Sequence, residues 1–205
     1  MTDDLGSLYR LAREQVESLV RSLTPQQLEA PVPACPGWTV HALVSHLAGV
    51  ATDVINGRLS GVPAPHQTAA QVEGRAGTPT TVVLREWERT GSQMEALLAK
   101  SGGGSAAPVI DVAVHEQDIR GALGLPGNRE GPLIDLALGR SIPLLESRIE
   151  SSGLPGLKVR PAPEAPLIAG REEDPVTLRA SRFELFRSIY GRRSRSQLAH
   201  RLEGT

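Results

Sequence analysis

Two stretches decide how this chain of 205 residues folds: CPGWTVHALVSHLAG at 35–49 and IDVAVHEQDIRGALG at 110–124. Both carry apolar residues at helical spacing, with Thr39 a ready N-cap for the first helix and Pro108 able to start the second. Asp111 and His115 stand four apart, just over one helical turn, and so project from one face. His46 sits about 60° around its helix from the Leu43 line, at the edge of the apolar stripe of Val40, Leu43, Leu47, Val50 and Val54. Asp53 shares its side. Two imidazoles and a carboxylate suit zinc or another divalent first-row metal, and three protein ligands leave positions open for water or a substrate thiolate. Spacing by itself leaves a second reading open, because a boundary histidine is often bonded to solvent or to a neighbouring helix.

Working outward, Leu5, Leu8, Tyr9, Ala12, Val16, Leu19, Val20 and Leu23 predict a first amphipathic helix, stopped at Thr24-Pro25. Pro31, Pro33 and Pro36 hold an extended connection. Gly57 to Thr81 reads as a long connection, either a substrate lid or a passive crossover, with His66 solvated. A helix from Thr81 to Lys100 turns Val83, Leu84, Trp87, Met94, Leu97 and Leu98 inward. A further helix, Pro132 to Ser151, carries Leu133, Ile134, Ala137, Leu138, Leu144, Leu145 and Ile149, with Pro143 a candidate kink. Beyond Gly153, residues 157–160, 166–169 and 176–179 read as short strands, a small hairpin or sheet at one end of the bundle. Helices near Arg182–Tyr190 and Arg195–Leu202 follow. The expected fold is mainly α: a four-helix bundle over 1–155 and a small strand-plus-helix extension over 156–205, packed on it in one structural domain.

A formal charge of −1 argues against a polyanion-binding surface, and nucleic acid is not an expected partner. The acidic start MTDDLGSLYRLAREQ lacks the basic and apolar regions of a signal peptide, and no run is long enough to span a membrane. The single cysteine, Cys35, excludes an intramolecular disulfide and fits a reducing compartment. The expectation is a soluble cytoplasmic protein. A homodimer is left open, with no seam legible.

Pro36-Gly37-Trp38-Thr39-Val40 leading to Ser45-His46-Leu47-Ala48-Gly49, with Val112 to Gly124 and the stretch Phe183 to Ser194, resembles the mycothiol-dependent maleylpyruvate isomerase family of the DinB-like superfamily. The resemblance implies a DinB-like bundle with His46, Asp111 and His115 as metal ligands, zinc as the metal and mycothiol as thiol cosubstrate. Asp111 stands where that family usually has Glu; its stem is one methylene shorter, so an ion must sit nearer this helix or be bound through water. Longer members add a C-terminal domain, and this chain is expected to end before one could fit.

Several other residues compete for roles. Asp118 continues the Asp111–His115 face, either as an acceptor orienting a ligand imidazole or as a partner for Arg120 or another base. Glu116 points about 100° away from His115, outside the ligand set. Arg187 and Arg192 belong to a C-terminal cluster with Arg182, Arg193, Arg195 and Arg201; they read either as anchors for substrate carboxylates or as a structural, solvated face. Cys35 has neither a base nor a cation among its sequence neighbours and reads as a packed thiol. The implied function is a metal-dependent, mycothiol-using isomerase or S-transferase acting on a small electrophile. The alternative is a non-catalytic DinB-like module that binds a metal or a small molecule.

Overall fold

The computed structural model describes residues 4–100, 105–153, 157–160, 167–169, 176–201 and 203–204. The chain is mainly helical and divides into two compact units, residues 1–127 and 128–205. The division falls at Gly127, not at 155, because the helix at 132–151 packs against elements that follow it in the chain.

In the first unit, α1 (Leu5–Arg21), α3 (Val40–Ile55), α5 (Thr80–Lys100) and α6 (Ala107–Leu123) form the four-helix bundle, with short α2 (Pro25–Leu28) and α4 (Pro65–Glu73) both packed on α3. Each start has a local cause. Asp4 caps α1 by accepting from Gly6 N at 3.0 Å, Thr24 and Gln27 form a reciprocal capping box on α2, and Thr39 accepts from Ala42 N at 3.2 Å on α3. Gly124, at φ 65°, ends α6 in the left-handed conformation that glycine adopts without penalty.

The apolar faces meet as their spacing predicts: Tyr9, Ala12 and Val16 of α1, Leu43 and Leu47 of α3, Trp87 and Met94 of α5, and Val109 and Ile119 of α6 are buried. Trp87 Nε1 donates to the Tyr9 hydroxyl at 3.0 Å, so the largest core side chain keeps its polar atom paired. Leu97 does not join this core and stays 47% exposed. Charge also crosses the α1–α5 seam. Arg13, 5% exposed, donates to Glu17 at 2.7 Å and to Glu95 at 2.9 Å, while Arg10 donates to Glu95 at 2.7 Å. Gly91 makes room for this network, since a Cβ there would lie 2.5 Å from Arg13 Cδ.

Two connections position the site. Between α2 and α3, a bridge pairs Pro31 with Thr39, and Val32 N donates to Trp38 O at 2.9 Å. Trp38 N closes back on Cys35 O at 3.0 Å with Gly37 at φ 85°, the type II turn that a Pro-Gly centre favours. Between α3 and α5, the expected structureless stretch contains α4. Pro65 sits in its first turn, and Gln67 Oε1 accepts from Ala64 N at 2.9 Å; flanking Gly and Pro residues hide this short helix from a composition reading. His66 is exposed there.

In the second unit, α7 (Pro132–Ser151) packs on α8 (Arg182–Ile189) and on strand β2 (Leu167–Ala169). Phe186 is fully buried, Tyr190 donates to Ala137 O at 3.2 Å, and Ser181 caps α8 by accepting from Glu184 N at 3.1 Å. Leu144, one of the apolar residues of this helix, is 66% exposed one residue past Pro143. Among the described residues, the C-terminal strands do not form a hairpin alone but a four-stranded sheet. Strand β1 (Leu157–Arg160) lies between β2 and β3 (Val176–Arg179), antiparallel to the first and parallel to the second. The pairs Val159↔Leu167 and Val159↔Leu178 set the register, and β4 (Glu203–Gly204) adds to β3 after α9 (Arg195–Arg201).

Candidate metal centre

His46 on α3 and Asp111 and His115 on α6 converge, with one donor atom from each lying within 4.8 Å of the others. The Asp111 carboxylate faces both imidazoles: its Oδ2 is 3.6 Å from His46 Nε2 and its Oδ1 is 3.5 Å from His115 Nε2. Donors held about 2.0–2.1 Å from a tetrahedral zinc ion are separated by roughly 3.3–3.5 Å, close to the spacing of each Asp111 oxygen from its own imidazole, so the three residues could hold a cation with the donors drawn slightly inward. Asp111 is the partly exposed member, while His46 and His115 are buried. The aspartate stem is therefore long enough to reach both rings.

The outer nitrogens support the same reading. His115 Nδ1 donates to Asp118 Oδ2 at 3.0 Å, and Asp118 is itself 1% exposed. Arg120 pairs instead with Glu116 at 2.8 Å, so the Asp118 carboxylate meets the imidazole and not this guanidinium, and Glu116 belongs to a separate ion pair. His46 Nδ1 lies 2.9 Å from Gln71 Oε1 of α4. Metal-binding histidines commonly use one ring nitrogen for the ion and the other for such a partner.

Electrostatics follow from this enclosure. Burial disfavours a charged His115, but the Asp111 and Asp118 carboxylates and the Cys35 contact outweigh it and push its pKa from 6.5 up to about 10.

Trp38 covers one side, its ring centroid 5.2 Å from that of His46 and 6.4 Å from that of His115. The two imidazoles meet edge to face at 5.4 Å. The type II turn also carries Cys35 in: its Sγ is 3.8 Å from His115 Nδ1 and donates to Asp118 Oδ2 at 3.6 Å. The thiol thus has polar partners that its sequence neighbours do not supply. Its place is behind His115, on the side of Nδ1.

Arg187 and Arg192 lie in the second unit. Arg187 is buried on α8, and Arg192 donates from one terminal nitrogen to Tyr190 O at 3.0 Å. The sequence reading missed Gln71. Its one signal was Gly49, where a Cβ would lie 2.6 Å from Gln71 Cβ, a close approach that the final glycine of His46-Leu47-Ala48-Gly49 permits.

The bundle brings two imidazoles and a carboxylate together, each imidazole engaged through its other nitrogen, a donor set that could hold a divalent cation. Residues 9–120 match the mycothiol maleylpyruvate isomerase N-terminal domain, and the chain belongs to that family. Two solved structures are similar in fold. One is a histidine-to-alanine variant of the mycothiol-dependent maleylpyruvate isomerase, with TM-score 0.65, 12% identity and coverage of 99% of this chain and 92% of that one. The other is the mycothiol-dependent maleylpyruvate isomerase itself, with TM-score 0.62, 13% identity and the same coverage. No curated protein matches the sequence. The likeness covers nearly all of both chains, so residues 128–205 fall within it.

Proposed function

We propose that this protein is a metal-dependent enzyme that uses mycothiol on a small electrophilic substrate, as an isomerase or an S-transferase. The observation that carries the reading is the convergence of His46, Asp111 and His115 with both outer imidazole nitrogens already engaged. Family membership supports the thiol. His46, Asp111 and His115 would hold a divalent cation, zinc by the chemistry of the donors. When bound, such a cation favours thiolate over thiol and so supplies a nucleophile near neutral pH.

The chain's own residues do the rest. Asp118 and Gln71 fix the two rings, Asp111 supplies the negative charge, and Trp38 keeps water from one side of the imidazoles. Arg187 and Arg192 are proposed as anchors for substrate carboxylates, a role that predicts a raised KM with little change in kcat when Arg192 is replaced by Ala.

The experiment is to supply the zinc-loaded protein with mycothiol and a panel of electrophiles that includes maleylpyruvate. Net loss of thiol identifies S-transfer. A cis–trans change with thiol recovered identifies isomerisation. One feature favours a second reading, a non-catalytic binding module: aspartate stands at 111, where the family resemblance implies glutamate. That reading predicts bound metal with neither outcome, for any electrophile in the panel.

A further inference from the structure

The amide of Gln71 links the buried His46 to a surface ion pair. Gln71 is 3% exposed on α4, and its Nε2 donates to Asp53 Oδ2 at 2.8 Å. Asp53 is held in turn by Arg58, whose Nε and a terminal nitrogen donate to Oδ1 at 3.0 and 2.8 Å. A carboxylate paired with a guanidinium accepts hydrogen bonds and offers none, so it fixes which end of the amide faces it. With Nε2 committed to Asp53, Oε1 is turned toward His46 Nδ1 at 2.9 Å. A carbonyl oxygen only accepts. The neutral imidazole must therefore carry its proton on Nδ1, which leaves the lone pair on Nε2, the nitrogen that faces Asp111 at 3.6 Å.

We infer that Asp53, acting through Gln71, is a positioning residue that sets the tautomer of His46 and so keeps Nε2 available as a ligand. Without Asp53 nothing holds the amide in its present sense. A flipped Gln71 would present its NH2 group to Nδ1, move the ring proton to Nε2 and turn His46 from a potential ligand into a donor toward Asp111. Gly49 is part of the device, because any side chain there would lie on Gln71. This inference rests on the metal reading for its consequence, but the tautomer itself can be read without metal.

The test uses the full chain and two variants, Gln71→Ala and the volume-conserving Asp53→Asn, checked for native helix content by circular dichroism. Nitrogen-15 shifts of the His46 ring, recorded without metal above the pH at which the ring becomes neutral, report which nitrogen is protonated. The expected result is the Nδ1–H form in the native chain and a mixture of forms in Asp53→Asn. Zinc affinity, by competition with a chelator, falls about 10- to 100-fold in Gln71→Ala and measurably in Asp53→Asn. An Nε2–H form in the native chain, or an unchanged tautomer in Asp53→Asn, overturns the inference. A native chain with the expected tautomer and no zinc binding leaves the relay standing and overturns the metal reading instead.

Discussion

Replacing Gly49 by Ala tests whether α4 is seated on the site as tightly as the structure shows. Helix propensity favours the change by about 1 kcal/mol, since alanine loses less backbone entropy on folding. Packing opposes it. The new Cβ would stand 2.6 Å from Gln71 Cβ, 2.7 Å from Gln71 Cγ and 3.1 Å from a terminal nitrogen of Arg75, so α4 must shift outward. Overpacking of this kind costs about 1–3 kcal/mol. Gly121 on α6 is the internal control: it is exposed, and a Cβ there meets nothing within 4 Å. Gly121→Ala is expected to raise Tm by roughly 2–4 °C, the yield of about 1 kcal/mol in a chain of this size. Gly49→Ala should fall below the control by the overpacking cost and should also bind zinc more weakly, because Gln71 is displaced from His46. Thermal melts and chelator competition on the two variants measure both effects. Equal rises in Tm with unchanged zinc affinity would refute the argument.

The remaining predictions concern charge and the arginine seam. His115, raised to about 10 in the folded chain without metal, contributes stability that is fully present below pH 6.5 and is lost as pH rises toward 10; melts of zinc-free protein across that window should show a falling Tm. Metal binding runs the other way: the ion needs the neutral ring, so zinc affinity should rise between pH 6.5 and 8.5 with release of a proton, measurable by calorimetry in buffers of different ionisation enthalpy. Glu86, held below its usual range because its bonds from Arg75 and Thr52 outweigh partial burial, contributes stability present above pH 4.5 and lost as pH falls further; Glu86→Gln should flatten that acid limb in urea titrations. Arg13→Met removes the cation shared by Glu17 and Glu95 and should cost about 3–5 kcal/mol in urea unfolding, because two buried carboxylates lose their common partner.

Much of the bundle was legible because its physics is local. Thr39 capping α3, the apolar stripe Tyr9–Ala12–Val16 and the one-turn spacing of Asp111 and His115 depend on neighbours in sequence, and each lies where that spacing puts it. What the sequence hid depends on contacts made in three dimensions. Gln71 carries no motif and becomes informative only when α4 folds back over Gly49. Cys35 reads as an isolated thiol until the Pro36-Gly37 turn carries it to Asp118. The choice between Arg120 and His115 as the partner of Asp118 was open on a helical wheel, and it was decided by Glu116 taking the arginine. The strands at 157–179 are legible as segments but their order is not, since the parallel β1–β3 pairing joins strands that are not consecutive in the chain.

The most direct test is the metal content of the protein purified without chelator and after zinc supplementation, by elemental mass spectrometry, for the native chain, His46→Ala and His115→Ala. The account predicts about one zinc per native chain, lost in both variants while their helix content is retained. A native chain that takes up no metal from added zinc, or variants that keep it, would contradict the proposed centre.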